Sequence, residues 1–125
     1  MKRKVILVVD DDEQTRAALD IVLSPHYCMR FAVDGVDGYL RANDLPGPDL
    51  IIADVAMPNL DGLAMVRRIR DNHALGSLPV LFLTGQVSRA VVAERIGLSG
   101  GAFAYLWKPT DSGLLQKKVR SLLWA

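Results

Sequence analysis

Short apolar runs alternate along this chain with stretches whose apolar positions recur at helical spacing. The runs are Val5-Ile6-Leu7-Val8-Val9, a weaker one from Tyr27 to Val33, Leu50 to Ala53, Val80 to Leu83, and Phe103 to Trp107. Runs that are apolar on both faces suit strands of a parallel sheet covered on both sides. Between them, Glu13 to Ser24 carries Ala17, Ala18, Ile21 and Val22 at helical spacing, and Leu60 to Asn72 carries Leu60, Ala64, Val66 and Ile69. Ser88 is placed to cap a helix running through Arg95. Ser112 opens a last helix with Leu115, Val119 and Leu122 on one face. Val36 to Asn43 is the weakest helical stretch, because Gly38 interrupts it. Gly and Pro mark the joints at Ser24-Pro25, Pro46-Gly47-Pro48, Met57-Pro58, Leu78-Pro79, Gly100-Gly101 and Lys108-Pro109. The pattern predicts a strand–helix unit repeated five times. Right-handed crossovers then put helices on both faces of one doubly wound α/β sheet.

The 125 residues suit one domain, 1–125, with no linker, repeat or low-complexity segment. Half of them are apolar and 23% are charged, a balance that supports a packed core and excludes a disordered chain. The formal net charge of +1 leaves no field for nucleic acid. Lys2, Arg3 and Lys4 read as the solvated start of the first strand, and Lys117, Lys118 and Arg120 as the solvated face of the last helix. Cys28 is the only cysteine, so neither an internal disulfide nor a thiolate metal cluster can form. It lies in an apolar run and is expected to pack there. A lone thiol fits a reducing cytoplasm. No apolar run reaches the roughly 18 residues of a membrane span. The first run is also too short for a signal-peptide core. The expectation is a cytoplasmic protein with no membrane partner.

In a doubly wound sheet, ligands bind beyond the carboxyl ends of the strands. The first strand ends in Asp10-Asp11-Asp12, the third in Asp54, the fourth in Thr84 and the fifth in Lys108. A single Asp after a strand is ordinarily a helix cap. Several together need a different account, since two carboxylates about 4 Å apart repel by roughly 4 kcal/mol at an effective dielectric near 20. Their convergence implies a cation, and a small all-oxygen donor set suits Mg²⁺. A carboxylate can attack phosphorus and form an acyl phosphate. A metal ion, an ammonium and a hydroxyl can each take up charge on the phosphoryl oxygens. Asp54, Mg²⁺, Lys108 and Thr84 are candidates for these roles.

Val8-Val9-Asp10-Asp11, Asp54-Val55-Ala56-Met57-Pro58 with Asp61-Gly62, Thr84-Gly85, and Tyr105-Leu106-Trp107-Lys108-Pro109 follow one another in an order and spacing that resembles the receiver domain of two-component response regulators. The resemblance covers nearly the whole chain. It implies a three-layer, flavodoxin-like (βα)5 fold with strand order 2-1-3-4-5. Asp54 would be the phospho-acceptor, and Mg²⁺ would bind Asp10, Asp11, Asp54 and the backbone carbonyl of Ala56. Lys108 would pair with the phosphoryl group, aimed by a cis bond to Pro109. Thr84 and Tyr105 would form the coupled two-state switch. A histidine kinase or histidine phosphotransfer domain would donate the phosphoryl group, received along the first helix from about Gln14 to Leu23. A downstream protein or a second copy would read the face made by the fourth helix, fifth strand and last helix. The domain would catalyse only its own phosphorylation and dephosphorylation, and so is not an enzyme in the usual sense. The sequence carries no output domain, so it either acts alone by binding or belongs to a longer protein.

The chain departs from the family pattern in three places. Thr84 to Gly101 is about two residues longer than is usual, around Gly97-Leu98-Ser99-Gly100. Phe103, Tyr105 and Trp107 share one face of an edge strand, where they either pack under the fourth helix or form an exposed aromatic patch. Ala56 and Gln86 occupy the positions that flank the phosphoryl group. Ala56 cannot orient a water and Gln86 can, so the phosphate lifetime is expected to depend mainly on Gln86.

Other readings fit less well. Asp10-x-Asp12 is similar to the haloacid-dehalogenase phosphatase motif, but Gln14 stands where Thr or Val is needed, and no cap domain fits. An EF-hand from Asp10 lacks its glycine and has Ile21 in place of the bidentate Glu. No Gly-Lys-Ser/Thr phosphate loop is present. His26 and His73 read as turn or solvated residues. A phosphorylation-independent interaction module would ordinarily have lost an acidic or lysine residue of the site, and none is lost here.

Overall fold

The computed structural model describes residues 2–72, 75–85, 103–108 and 110–124. Strands β1 (Val5–Val9), β2 (Cys28–Ala32), β3 (Leu50–Ala53), β4 (Val80–Thr84) and β5 (Phe103–Trp107) pair in parallel, in the order β2-β1-β3-β4-β5. The helices among the described residues are α1 (Glu13–Leu23), α2 (Gly35–Ala42), α3 (Gly62–Arg70) and α4 (Ser112–Leu123). The parallel strands are those expected from the alternating runs, and their order is the one the resemblance implies.

The two-residue period of the strands divides the core in two. Leu7, Val9, Ile51, Ala53, Val80 and Phe82 point toward α2 and α3, where they meet Ala42, Met65, Val66 and Ile69. Ile6, Val8, Leu50, Ile52, Leu81 and Leu83 point the other way, onto Leu19 and Leu23 of α1 and Leu115 and Val119 of α4. Fully burying each such side chain contributes about 1.5–3 kcal/mol, which is why β1, β3 and β4 read as unbroken apolar runs.

Each of these four helices starts from an aspartate whose side chain accepts an amide of the first turn. Asp12 accepts from Gln14, Asp34 from Asp37, Asp61 from Ala64 and Asp111 from Leu114, at 3.1, 2.8, 2.8 and 2.9 Å respectively. These caps all lie on the rim formed by the carboxyl ends of the strands.

Several expectations need correction. Cys28 is exposed, not packed, because it opens β2 at the edge of the sheet, where cover is thinnest. The buried stripe of α1 is Leu19 and Leu23, not Ala17, Ala18 and Ile21; Ile21 is 76% exposed. The stretch around Gly38 is a helix, as expected, although the glycine counts against it in propensity. A Cβ at Gly38 would lie 2.6 Å from Met65 Sδ and 2.8 Å from Val9 Cγ1, so the missing side chain lets α2 sit close to β1. Tyr105 packs against the α2–α3 side of the core and meets Trp107 edge to face, with ring centres 6.4 Å apart. The predicted Ser88–Arg95 helix, the longer segment toward Gly101, His73, Gln86 and Pro109 with its peptide bond lie outside the described residues. Among the described residues no helix is long and apolar enough to cross a membrane.

Candidate functional site

The strand order builds the site. β1 and β3 are neighbours, with Val9 opposite Ala53, so Asp10 and Asp54 leave the sheet side by side. The Asp54 amide donates to the Val9 carbonyl at 3.0 Å, which extends the ladder one step past the strand ends. On the far side, Thr84 pairs with Trp107, and the Lys108 amide donates to the Thr84 carbonyl at 2.9 Å. Lys108 then reaches over the end of β4. Its Nζ donates to Asp10 Oδ2 at 2.8 Å and to Asp54 Oδ2 at 3.0 Å.

Asp10, Asp11 and Asp54 each offer a carboxylate oxygen within 4.8 Å of the others. Asp12, Asp34, Asp61 and Asp111 are already used as helix caps. The ordinary account of an acidic residue at a strand end therefore covers those four and leaves these three. Asp10 is only 2% exposed. Burial pushes its carboxyl above the ordinary value. Lys108 and the Asp12 amide, which donates to Oδ1 at 2.9 Å, oppose the rise without cancelling it, and Asp54 adds to it. For Lys108, burial acts downward, but the hydrogen bonds to Asp10 and then Asp54 outweigh it and raise its pKa. Among the described residues, the Lys108 ammonium is bonded to two of the three clustered carboxylates, Asp10 and Asp54. Among the described residues the carboxylates of this cluster outnumber the ammonium bonded to them, and its exposed member, Asp11, opens it to solvent. A hard cation with oxygen ligands fits this donor set.

The other expected residues lie on the loop after β3 and on strands β4 and β5. Ala56 follows Asp54 by two residues, and its amide donates to Asp54 Oδ1 at 3.3 Å. Thr84 is fully buried at the end of β4. Tyr105 lies on β5, paired in register with Phe82. The sequence did not single out Arg16, whose guanidinium donates to the Asp10 carbonyl at 2.6 Å from the first turns of α1. It also gave no role to Asn59, which donates to Asp34 Oδ2 at 2.9 Å. Asn59 follows a proline, and Asp34 precedes a glycine. Those turn signals mark both positions without pairing them.

Beside Lys108 lies an open groove of about 480 Å³ between α1 and the start of α4. Asp12, Thr15 and Lys108 line its rim, and Ala18, Val22 and Leu115 its floor.

The family model described as the response regulator receiver domain matches residues 6–120. The response regulator MprA of Mycobacterium sp. (strain KMS) is 43% identical over 121 residues, a match that takes in 94% of this chain and 50% of the relative. The response regulator PleD of Caulobacter vibrioides (strain NA1000 / CB15N) is 38% identical over 120 residues, covering 94% of this chain and 25% of its own length. The chain thus spans about half the length of the MprA regulators and less of PleD. Among solved structures, the chemotaxis protein CheY4 of Vibrio cholerae superposes with a TM-score of 0.87 at 27% identity, covering 97% of this chain and 99% of that one. The signal receiver domain of a signal transduction histidine kinase from Syntrophus aciditrophicus gives a TM-score of 0.81 at 30% identity, covering 96% and 89%.

Proposed function

This chain belongs to the response regulator receiver domains of two-component systems, signalling modules rather than enzymes, and from that premise we propose that it is a phosphorylation switch with Asp54 as the phospho-acceptor. The observation that carries the proposal is the convergence of the Asp10, Asp11 and Asp54 carboxylates, with Lys108 bonded to both Asp10 and Asp54.

A histidine kinase or histidine phosphotransfer domain is the donor. An Asp54 carboxylate oxygen attacks the phosphorus of the donor's phosphohistidine. The new O–P bond replaces the P–N bond, and the imidazole nitrogen leaves with the bonding pair. Asp10, Asp11, Asp54 and the Ala56 carbonyl would hold Mg²⁺, which supplies positive charge beside the phosphoryl oxygens when bound. Lys108 is already placed to neutralise charge that develops next to Asp54. Its raised pKa keeps it an ammonium at neutral pH. Thr84 and Tyr105 lie on neighbouring strands behind the site and are the pair whose rearrangement would carry the change to β5 and α4. A downstream protein or a second copy would read that face. The reading places the protein in the cytoplasm and gives this domain no contact of its own with nucleic acid or membrane.

The test is to incubate the chain with Mg²⁺ and acetyl phosphate, or with beryllofluoride, beside Asp54→Ala. Intact mass and Trp107 fluorescence are followed. A gain of one phosphoryl group and a Mg²⁺-dependent fluorescence change, both lost in Asp54→Ala, are expected. No response in the unaltered chain would remove the switch and leave a module that acts by binding alone.

A further inference from the structure

The loop from β3 to α3 carries Asp54 at one end and Asp61, the cap of α3, at the other. Its ends are tied to the frame: Asp54 to the Val9 carbonyl at 3.0 Å, and the Gly62 amide to the Val55 carbonyl at 2.8 Å. Gly62 must be glycine, since a Cβ there would lie 2.0 Å from the Asp54 carbonyl oxygen. Ala56 sits between these ties, so the loop's course decides where its carbonyl stands relative to the Asp54 side chain.

The middle of the loop is fastened to a different part of the sheet. Asn59 has φ 69°, a left-handed conformation that Asn tolerates better than most residues. In that conformation its Nδ2 donates to Asp34 Oδ2 at 2.9 Å. Asp34 uses its other oxygen, Oδ1, to cap α2 at the Asp37 amide. These two donors hold its carboxyl below the usual carboxylate range. Next to them the loop is pressed against the start of α2 so closely that a Cβ at Gly35 would lie 2.0 Å from the Leu60 carbonyl oxygen. Asn59, Asp34 and Gly35 thus form one junction between the loop and α2.

We propose that Asp34 and Asn59 are positioning residues for the phosphoryl-transfer site, their hydrogen bond locking the turn that places the Ala56 carbonyl beside Asp54. The inference rests on the reading above for what the site binds. It assigns α2, which contributes no group to the site, a part in setting the site's affinity. Groups that hold a metal's ligands in place, without touching the metal, commonly change affinity by roughly 10–100-fold when removed.

Two variants test this. Asn59→Gly removes the donor and keeps the left-handed backbone accessible. The double variant Asp34→Asn with Asn59→Asp reverses the pair's polarity: the new amide caps α2 through its oxygen and donates to residue 59 through its nitrogen. Amide exchange over residues 55–62 is measured without Mg²⁺, Mg²⁺ affinity is read from Trp107 fluorescence, and the thermal midpoint is recorded. In Asn59→Gly, exchange in the loop should rise about tenfold and Mg²⁺ binding weaken about tenfold, with little change in the midpoint. The reversed pair should restore both, which a merely structural loss would not do. A responsive unaltered chain matched by Asn59→Gly in exchange and affinity would overturn this inference alone. A reversed pair that folds and is as impaired as Asn59→Gly would overturn it equally. An unaltered chain that binds no Mg²⁺ would overturn the reading of the site as well.

Discussion

At the scale of single residues, the site is a local conflict between charge and burial. Asp10 is enclosed, and its carboxyl is pushed up by that enclosure more than Lys108 and the Asp12 amide pull it down. A folded pKa above the unfolded value means that the contribution of Asp10 to stability is fully present below the ordinary 3.8 and is lost as pH rises through the folded value. At neutral pH the metal-free fold therefore carries a desolvated charge it would be more stable without. Asp10→Asn in a chelating buffer should raise the thermal midpoint at pH 7 by a few degrees, about what 1 kcal/mol does in a domain of this size. The gain should fade as pH drops toward 3.8, where the native residue is neutral too. Thermal scans at several pH values check this, and an Asn variant less stable at pH 7 would refute the account. The acidic cluster and Lys108 were legible in the sequence because each residue sits directly after an apolar run. The Asp34–Asn59 contact was not, since 25 residues separate its partners and only the packing of α2 against the loop brings them together.

At the scale of elements, the sequence was most informative where burial is symmetrical and least where it is one-sided. Strands β1, β3 and β4 are enclosed on both faces, and their apolar runs match the observed ends or stop one residue short. The edge strand β2 and the amphipathic α1 were legible only in part. An edge strand needs little cover, and Ala17, Ala18 and Ile21 follow helical spacing almost as well as the Leu19–Leu23 pair that is actually buried. Helix α2 looked weak because helix propensity counts Gly38 against it. The structure reverses that inference, because Val9 and Met65 occupy the space a side chain would need. Gly38→Ala should accordingly destabilise the fold. Overpacking costs typically about 1–3 kcal/mol, against a helix-propensity gain of roughly 1 kcal/mol. Urea unfolding would show a lower midpoint at unchanged slope. A rise in midpoint would mean that α2 moves outward without cost.

At the scale of the whole molecule, site and stability are linked. An ion that binds the three convergent carboxylates of the folded chain, and not the unfolded chain, stabilises by mass action, about 2.7 kcal/mol at a hundred times its dissociation constant. Millimolar Mg²⁺ should raise the unfolding midpoint, chelation should reverse the rise, and Asp54→Ala should blunt it. A midpoint indifferent to Mg²⁺ would argue that Lys108 alone balances the cluster. At this scale the architecture was legible, because strand order follows from the family pattern and the motifs that carry the resemblance follow one another in the family's order.

The foot of the sheet has a practical consequence for such experiments. Trp124, at the end of α4, lies beside Tyr27 with Lys4 5.8 Å above its ring, among the segments that precede β1 and β2. The other tryptophan of the chain, Trp107, directly precedes Lys108 at the rim. The molecule thus carries one indole emitter at each pole. The lower one, 61% exposed, provides an internal baseline, so that light lost or gained on adding phosphoryl donors can be assigned to the upper one by replacing either in turn.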